Sequence, residues 1–155
     1  MIEKETLIKN LVSAGVCASS DIRGATEDEV VALEKWFGAK MPEQYREFLL
    51  AIGHGAGCLF QGTDIFISSV ARLKEEAIAL LEESREDVEL GEEIFVFSMH
   101  QGYEFTYFSM SEGSDPPVYQ YVEGNGPPVL TWTSFSEFLS TSIGQHEHVR
   151  SPPPM

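Results

Sequence analysis

The residues best suited to nucleophilic catalysis are Cys58 and two histidines near it in the sequence or in the predicted turns, His54 and His100. A Cys–His pair reacts when the imidazole or a positive field lowers the pKa of the thiol. The other residues of the segment 57–60 are Gly, Leu and Phe, and apolar surroundings raise a thiol pKa instead. We therefore interpret Cys58 as a buried structural residue and predict no catalytic residue.

Three other segments contain residue types found in active sites, but each lacks a necessary partner. His146, Glu147 and His148 are metal-ligand types without a further ligand at a diagnostic spacing. The glycine-rich segment 53–57 ends a predicted helix, whereas a phosphate-binding loop opens one and supplies a Lys. Glu104 lies among strand aromatics without a second carboxylate at a known separation. We expect no metal, no cofactor and no enzymatic activity.

Tyrosines on two predicted neighbouring strands are a stronger candidate for function. Tyrosine is enriched at the energetic centres of protein interfaces, and a patch that mixes tyrosines with carboxylates suits a basic protein partner. The alternative is that these rings pack beneath helices and only their hydroxyl groups reach water. The candidate partner-binding residues are Tyr103, Glu104, Tyr107, Asp115, Tyr119 and Tyr121.

The charge of the chain is strongly acidic and unevenly distributed. Ten Lys and Arg stand against 25 Asp and Glu, a formal net charge of −15. This balance weighs against nucleic-acid binding, because each phosphate contact needs a cation. Residues 86–149 contain eleven Asp and Glu and no Lys or Arg. Two interpretations are open: the acidity keeps the protein in solution, or it gives one half of the fold a negative field that attracts a basic partner.

Length and composition predict one globular domain. The 155 residues fit a single domain, and a hydrophobic content of 43% indicates a packed core. No segment approaches the roughly 20 apolar residues that span a bilayer, and the first residues lack the apolar region of a secretory signal. Cys17 and Cys58 show no CxxC spacing, so we expect reduced thiols in a cytoplasmic protein. The expected domain covers 1–145, followed by a flexible tail over 146–155.

Apolar residues recur at helical spacing in five segments, which predicts five helices. Two of the helices begin with the sequence of a capping box, Thr26 with Glu29 and Ser134 with Glu137. Pro42 is placed to open the third helix, since its missing N–H needs no partner there. The predicted helices cover 3–14, 26–38, 42–53, 69–84 and 134–144.

The remaining apolar segments predict strands. Ile94 to Phe97 is continuously apolar, as expected for a central strand covered on both faces. The segment 103–108 alternates and places Tyr103, Phe105 and Tyr107 on one face. Helices followed by a strand meander and a last helix indicate an α+β domain with an antiparallel or mixed sheet of five to six strands. The predicted strands cover 59–60, 65–67, 94–97, 103–108, 118–122 and 129–132.

Several short sequence motifs within this pattern match those of a known family. The segment from Val30 to Glu34 reads hydrophobic-x-x-Leu-Glu, and 41–49 reads Met-Pro-x-x-Tyr-x-x-Phe-Leu. The second half adds Pro-Val-Tyr-Gln-Tyr at 117–121 and Ser-Phe-x-Glu-Phe-Leu at 134–139. Over roughly 24–143 the chain resembles the Smi/Knr family of the SUKH superfamily.

This resemblance implies an α+β fold and a role in protein interaction instead of catalysis. Bacterial members of the family are interpreted as immunity proteins that bind and neutralise a cognate polymorphic toxin, often a nuclease. Fungal members regulate cell-wall assembly. The resemblance therefore implies a toxin domain as partner, and the acidic charge of the chain predicts that this domain is basic. The alternative is a regulatory or scaffold protein of the Smi/Knr type that acts through other protein partners. The sequence leaves the oligomeric state open between monomer and homodimer.

Overall fold

The computed structural model describes residues 1–150, with side chains up to residue 146. The fold is α+β, as predicted. Two short 3₁₀ helices, Ser19–Asp21 and Val70–Arg72, precede β1 and α4. The α-helices are α1 (Lys4–Ser13), α2 (Glu27–Phe37), α3 (Glu43–Ile52), α4 (Leu73–Glu83) and α5 (Phe135–Arg150). The strands are β1 (Ile22–Arg23), β2 (Gly55–Ala56), β3 (Thr63–Asp64), β4 (Ile94–His100), β5 (Glu104–Ser109), β6 (Val118–Val122) and β7 (Val129–Trp132).

Five strands form an antiparallel meander in the order β3-β4-β5-β6-β7, which confirms the predicted sheet. Opposed residues include Phe95 with Phe108 on β4 and β5, and Tyr107 with Tyr119 on β5 and β6. Phe95 and Phe97 share one face of β4, as alternation along a strand requires, and both contact the ring of Phe108 on β5. An irregularity between Val96 and Ser98 shifts the register of β4. β1 and β2 form a separate two-stranded ladder.

One face of the sheet packs against α3 and α5 through aromatic rings. The ring of Tyr45 on α3 lies 5.2 Å from that of Phe108 and 5.5 Å from that of Phe135, measured between centroids. Phe97 contacts Phe135 at 5.1 Å and Phe138 at 5.1 Å. These edge-to-face contacts are the favoured geometry for aromatic pairs. Strand and helix aromatics therefore form one core on this face.

The hairpin of α2 and α3 is closed by side chains identified in the sequence. Thr26 Oγ1 accepts from Glu29 N (3.1 Å), and Glu29 Oε1 accepts from Thr26 N (3.0 Å), which confirms the predicted capping box. Glu34 accepts from the backbone N of Met41 (2.7 Å) and from Arg46 Nε (3.2 Å). The carboxylate of the Leu-Glu motif thus ties the loop between the helices to α3.

α3 also holds the beginning of α1. The buried side chain of Gln44 accepts from the backbone N of Ile2 (2.6 Å) and donates to the carbonyl of the same residue (2.8 Å). Glu47 accepts from the backbone N of Lys4 (2.7 Å), a donor that has no partner inside its own helix. These hydrogen bonds hold the beginning of α1 against α3, and Leu7 and Leu11 of α1 are fully buried in the core.

The chain crosses the end of α3 so closely that residue 24 must be glycine. A Cβ on Gly24 would lie 2.0 Å from the carbonyl oxygen of Leu50. This close contact allows two backbone hydrogen bonds beside it: Ala25 N donates to Leu49 O (2.8 Å), and His54 N donates to Arg23 O (2.8 Å). The glycine before the capped helix is therefore explained by tertiary packing.

Between α3 and α4 the structure differs from the sequence prediction. The predicted strands at 59–60 and 65–67 are wrong, because the chain forms turns there and only Thr63–Asp64 joins the sheet, as β3. The backbone of Ile67 donates to Gly53 O (2.9 Å) instead of to a strand. Leu59 and Ile65 are nevertheless buried. Both side chains are apolar because they pack in the core. A short apolar segment of this kind has the same sequence pattern whether it forms a strand or a buried turn.

Two further predictions need correction or lie partly outside the described residues. α5 runs through Gly144 to Arg150, so the prediction that Gly144 ends this helix is wrong. Residues 151–155 of the predicted tail lie outside the described residues, and the tail stays a prediction. Ser134 Oγ accepts from Glu137 N (3.1 Å), but the carboxylate of Glu137 bonds Thr133 instead of Ser134, so the second capping box is only half formed.

Candidate functional site

The sheet face opposite the aromatic core carries a partly exposed aromatic surface. Tyr107 and Tyr119 are cross-strand partners whose rings stack with centroids 5.2 Å apart and planes 8° apart. Leu130, opposite Tyr119 on the edge strand β7, is 51% exposed. We call Tyr107, Tyr119 and Leu130 the tyrosine surface. Its components come from three adjacent strands, and a flat apolar area of this kind is typical of protein contacts.

A carboxylate borders the tyrosine surface. The hydroxyl of Tyr119 donates to Glu112 Oε1 (3.2 Å). Partial burial, together with the charge of Glu112, raises the pKa of Tyr119. Partial burial also raises the pKa of Tyr107, and the neighbouring Tyr119 and Glu112 add to the effect. Both hydroxyl groups therefore remain protonated near neutral pH and serve as hydrogen-bond donors beside a negative charge.

The other two predicted tyrosines lie elsewhere. Tyr103 precedes β5, is 41% exposed, and contacts the ring of His100 edge-on at 5.6 Å. Tyr121 is fully buried and its ring packs 5.3 Å from that of Phe105. Tyr121 therefore cannot contact a partner in this conformation, and the alternative that these rings pack in the core holds for Tyr121. The tertiary structure decides this, because Tyr119 and Tyr121 share one face of the same strand.

The two predicted carboxylates do not border the tyrosine surface. Asp115 accepts from the backbone N of Ser136 (2.9 Å) and from its hydroxyl (2.6 Å). It therefore anchors the first turn of α5, where a negative charge also favours the helix dipole. Glu104 is half-buried on the opposite face of the sheet. Five of the six predicted site residues thus divide among the tyrosine surface, the core, a helix end and a second surface, and Tyr103 lies apart from them before β5.

That second surface is a cleft of 1370 Å³. β4, β5 and β6 form its floor beyond the aromatic core, α5 forms one wall, and the segments 15–21 and 57–63 form the other. The floor is polar and internally hydrogen-bonded. Ser98 bonds Thr106 through their hydroxyl groups, and Gln120 Nε2 donates to Glu104 Oε1.

The remaining sides of the cleft combine aromatic rings with acidic groups. Trp132 lies edge-on to Phe138 with centroids 5.0 Å apart, and Phe60 stacks on Phe138 at 6.1 Å. The charged lining residues are Asp21 and Glu104, and no Lys or Arg lines the cleft within the described part of the chain. Sequence patterns identified Glu104 here. They missed the cleft itself, since its residues come from seven separate segments.

The possible catalytic residues are not arranged for nucleophilic catalysis. Cys58 is exposed, so the prediction that it is buried is wrong. Its proposed partners are engaged elsewhere: His54 Nε2 lies 2.7 Å from Glu29 Oε2, and His100 Nδ1 lies 2.8 Å from Thr63 Oγ1. A thiol in this position has no imidazole aligned to activate it within the described hydrogen bonds.

The metal-ligand types of the C-terminal helix were a second possibility for chemistry. His146 is the last residue whose side chain is described, and the side chains of Glu147 and His148 lie outside the described residues. Up to residue 146, the structure contains no group of three or more His, Cys, Asp or Glu placed to hold a metal ion. None of the helices within 1–150 is long and apolar enough to cross a membrane.

Between described residues, ion pairs occur only in the first part of the chain. Among the described side chains, Arg46 pairs with Glu27 and Glu34, and Arg72 pairs with Asp64 and Glu76. All of these residues precede position 86. The acidic side chains described between 86 and 146 form no ion pair with another described residue. The sheet strands β4 to β7 therefore lie in a region of uncompensated negative charge.

Comparison with known proteins assigns this chain to a family. No curated protein matches this chain. The family model described as SMI1-KNR4 cell-wall (SUKH_6) matches residues 27–139, which include α2 through the first turns of α5. The matched range covers most of the sequence and contains both the tyrosine surface and most of the cleft. The chain therefore belongs to the SMI1-KNR4 cell-wall family and is a Smi/Knr-type SUKH domain.

Proposed function

We propose that this chain is a protein-binding domain that neutralises a basic toxin domain by covering its active site, without a covalent step. SUKH domains are generally immunity or regulatory domains without enzymatic activity. The cytoplasmic location expected from the sequence is part of this proposal. Binding by occlusion requires an accessible surface with a complementary charge, and it needs no catalytic group.

The uncompensated charge of the sheet region carries the proposal. Residues 86–149 have a formal net charge of −11, whereas 1–85 carry nine Lys and Arg against fourteen Asp and Glu, a net charge of −5. Self-repulsion of this size opposes folding. A cationic partner relieves that repulsion, and the same field speeds the encounter between the two proteins.

The tyrosine surface supplies the apolar part of the proposed contact. Charge alone steers association, while buried aromatic rings supply most of the affinity in typical interfaces. Tyr107 and Tyr119 are already stacked on each other in this structure. Little side-chain entropy would therefore be lost when a partner covers them. Glu112 lies at their edge, where a Lys or Arg of the partner would meet it.

Co-expression tests the proposal directly. The toxin domain encoded beside this gene is induced with and without this chain, and growth and complex formation on gel filtration are measured. We expect rescue of growth and a stable complex whose association rate falls as salt rises from about 0.05 to 0.5 M, because salt screens steering. A lack of rescue and of complex would contradict neutralisation, and a salt-independent association rate would contradict steering.

The family description gives one observation in favour of the alternative function. It names the cell wall, and a regulatory or scaffold protein of the Smi/Knr type would use the same surfaces for another protein partner. Deleting the gene distinguishes the two. Loss of an immunity protein is harmful only when the adjacent toxin is present, whereas loss of a regulator changes growth or cell-wall assembly without it.

A further inference from the structure

We infer that the cleft between the sheet and α5 accepts an arginine side chain of the protein partner. The inference rests on the proposed function and specifies which chemistry of the partner one surface recognises. Four features support it: the sign of the charge in the cleft, its aromatic sides, a carboxylate held in place on its floor, and its volume.

The charge in the cleft favours a cation. Glu104 lies half-buried on the floor and Asp21 lies at the rim, where one of its oxygens accepts from Ala18 N (3.1 Å). No described lining residue is a Lys or Arg. The described lining also contains His100 and His146, but it has no side chain with a permanent positive charge. The two carboxylates therefore favour a guanidinium group, which stays charged at any pH near neutral.

The aromatic sides favour a planar cation over a compact one. Trp132, Phe60 and Phe138 form a connected set of rings beside the polar floor. A guanidinium group stacks on aromatic faces and is more weakly hydrated than an ammonium group, so arginine loses less than lysine on entering such a site. The apolar stem of the side chain would lie along the same rings.

The carboxylate on the floor is held in place before any ligand binds. Gln120 Nε2 donates to Glu104 Oε1, and the other oxygen, Oε2, accepts no hydrogen bond from the described residues. On the opposed residue of β4, His100 Nδ1 bonds Thr63 Oγ1 (2.8 Å). A carboxylate fixed by its neighbour can receive a guanidinium group through a charge-assisted hydrogen bond without first being ordered.

The cleft is also large enough for this use. Its volume of 1370 Å³ exceeds that of a typical small-molecule pocket, which is about 300–1,000 Å³. The space therefore suits an inserted segment of a protein, with the arginine as its anchor, better than an isolated small molecule.

The two tryptophans allow a direct measurement. Trp132 lines the cleft, whereas Trp36 lies exposed on α2, so the substitution Trp36→Phe leaves fluorescence that reports on the cleft. The peptide acetyl-Gly-Arg-Gly-amide is titrated against this protein, with the citrulline peptide as the neutral control of the same shape. We expect a saturable change in Trp132 emission with the arginine peptide and none with citrulline.

A pair of charge-matched variants localises the binding. Glu104→Gln removes the carboxylate from the floor, and Glu123→Gln removes one from an exposed position after β6 that does not line the cleft. We expect affinity for the peptide to fall about tenfold in the first variant and less than about twofold in the second. Equal loss of peptide affinity in both variants would show that the overall negative charge, and not Glu104, attracts the peptide, and would overturn the inference. No change in Trp132 emission on titration with the arginine peptide would also overturn it.

The rescue assay separates this inference from the proposed function. Growth rescue by the natural chain together with equal rescue by Glu104→Gln would reject the cleft as an anchor and leave neutralisation intact. Binding of the arginine peptide without any rescue would reject neutralisation and leave the cleft as a cation site. Reduced rescue by Glu104→Gln with full rescue by Glu123→Gln is the result expected if both hold.

Discussion

The N-terminal region, 1–85, and the C-terminal region, 86–146, of this protein differ in whether their charged side chains form ion pairs. In the first, Arg46 and Arg72 are each paired with two carboxylates, and Glu29 is paired with His54. In the second, the carboxylates meet no cation among the described residues. The N-terminal region therefore uses its charges to hold its own helices together. In the C-terminal region the described carboxylates that have partners accept hydrogen bonds from neutral groups, such as Ser136 on Asp115 and Gln120 on Glu104, so their negative charge is not balanced by an ion pair.

The same contrast applies to the aromatic residues. Rings contributed by α3 and by the first strands of the sheet meet in one buried core around Phe135. Rings on β5 and β6 that point away from this core form the partly exposed stack of Tyr107 and Tyr119. The shared core predicts that the two regions unfold together. The difference in their surfaces predicts that substitutions in one region change stability, while substitutions in the other change binding.

Removing Phe135 tests whether the shared core joins the two regions. Its ring contacts Tyr45 and Phe48 on α3 as well as Phe97 and Phe108 on the sheet. We expect Phe135→Ala to lower the free energy of unfolding by about 3–5 kcal/mol. The transition measured with guanidinium chloride should stay single when followed by both circular dichroism and fluorescence.

The control for this experiment is Leu130→Ala, which truncates an exposed side chain and should change stability by less than about 0.5 kcal/mol. Two separate unfolding transitions in the Phe135→Ala protein would show that the regions are independent units. The two regions would then be two domains instead of two surfaces of one domain.

Tyr119 tests the binding side of the comparison. Tyr119→Ala removes half of the stacked pair and the hydrogen bond to Glu112. We expect it to weaken the complex with the toxin domain by about 2 kcal/mol, a typical value for an interface tyrosine, with a smaller effect on stability. Affinity is measured by isothermal titration calorimetry and stability by thermal unfolding.

Trp36→Ala is the matched control, because it removes an exposed aromatic ring from α2 in the N-terminal region. We expect this variant to bind the toxin domain as the natural chain does. If Trp36→Ala weakens the complex more than Tyr119→Ala does, the binding surface lies on the helices of the N-terminal region and not on the sheet.

Arg46 tests the stability side of the comparison. Arg46→Met keeps most of the side-chain volume but leaves Glu34, whose side chain is 11% exposed, without its ion pair. We expect a loss of about 1–2 kcal/mol in the free energy of unfolding, below the value for a fully buried pair because Arg46 is partly solvated. Binding to the toxin domain should be unchanged. Lys40→Met, at an exposed position, controls for the loss of one positive charge.

The smallest effect concerns acid sensitivity. Hydrogen bonds from Thr26, together with His54, lower the pKa of Glu29, and hydrogen bonds from Thr133 lower that of Glu137. A carboxylate whose pKa is lowered by folding stabilises the native state above its unfolded pKa, and this contribution disappears as the pH falls through the folded value. We therefore expect stability to decline below about pH 4.5, and less steeply in Glu29→Gln and in Glu137→Gln.

Salt should distinguish these two carboxylates. Glu29 faces His54, whereas Thr133 gives Glu137 only neutral donors. Added NaCl should therefore reduce the acid sensitivity attributable to Glu29 more than that attributable to Glu137, since screening acts on the charge pair. Equal responses, measured by urea unfolding at several pH values, would show that His54 contributes no charge to the pair.

Much of the fold follows from short-range signals in the sequence. Thr26 and Glu29 form the capping box that their spacing predicts, Gly38 adopts the left-handed φ of 97° that ends α2, and continuous apolarity identifies the central strand β4. These signals are reliable because hydrogen bonds and backbone geometry within a few residues determine them. The wrong strand predictions around Leu59 and Ile65 have the opposite cause, since both side chains are buried by distant residues.

The candidate site was less accessible to sequence reasoning. The residue types and the negative charge of 86–149 indicated a basic protein partner, and the spacing of Tyr107 and Tyr119 placed them on one face. Spacing could not separate Tyr119 from the buried Tyr121, because both lie on that face and only the surrounding packing differs.

The sequence by itself determined the order of helices and strands, the family and the uneven charge, since each depends on residue type and on spacing along the chain. The tertiary structure alone decided that Asp115 anchors α5, that Cys58 is exposed, and that Glu104 faces a cleft. The physical reason is that burial and hydrogen-bond partners depend on which segments meet in space. The cleft illustrates this, because it joins four strands (β4, β5, β6 and β7), α5 and two other segments that no local pattern connects.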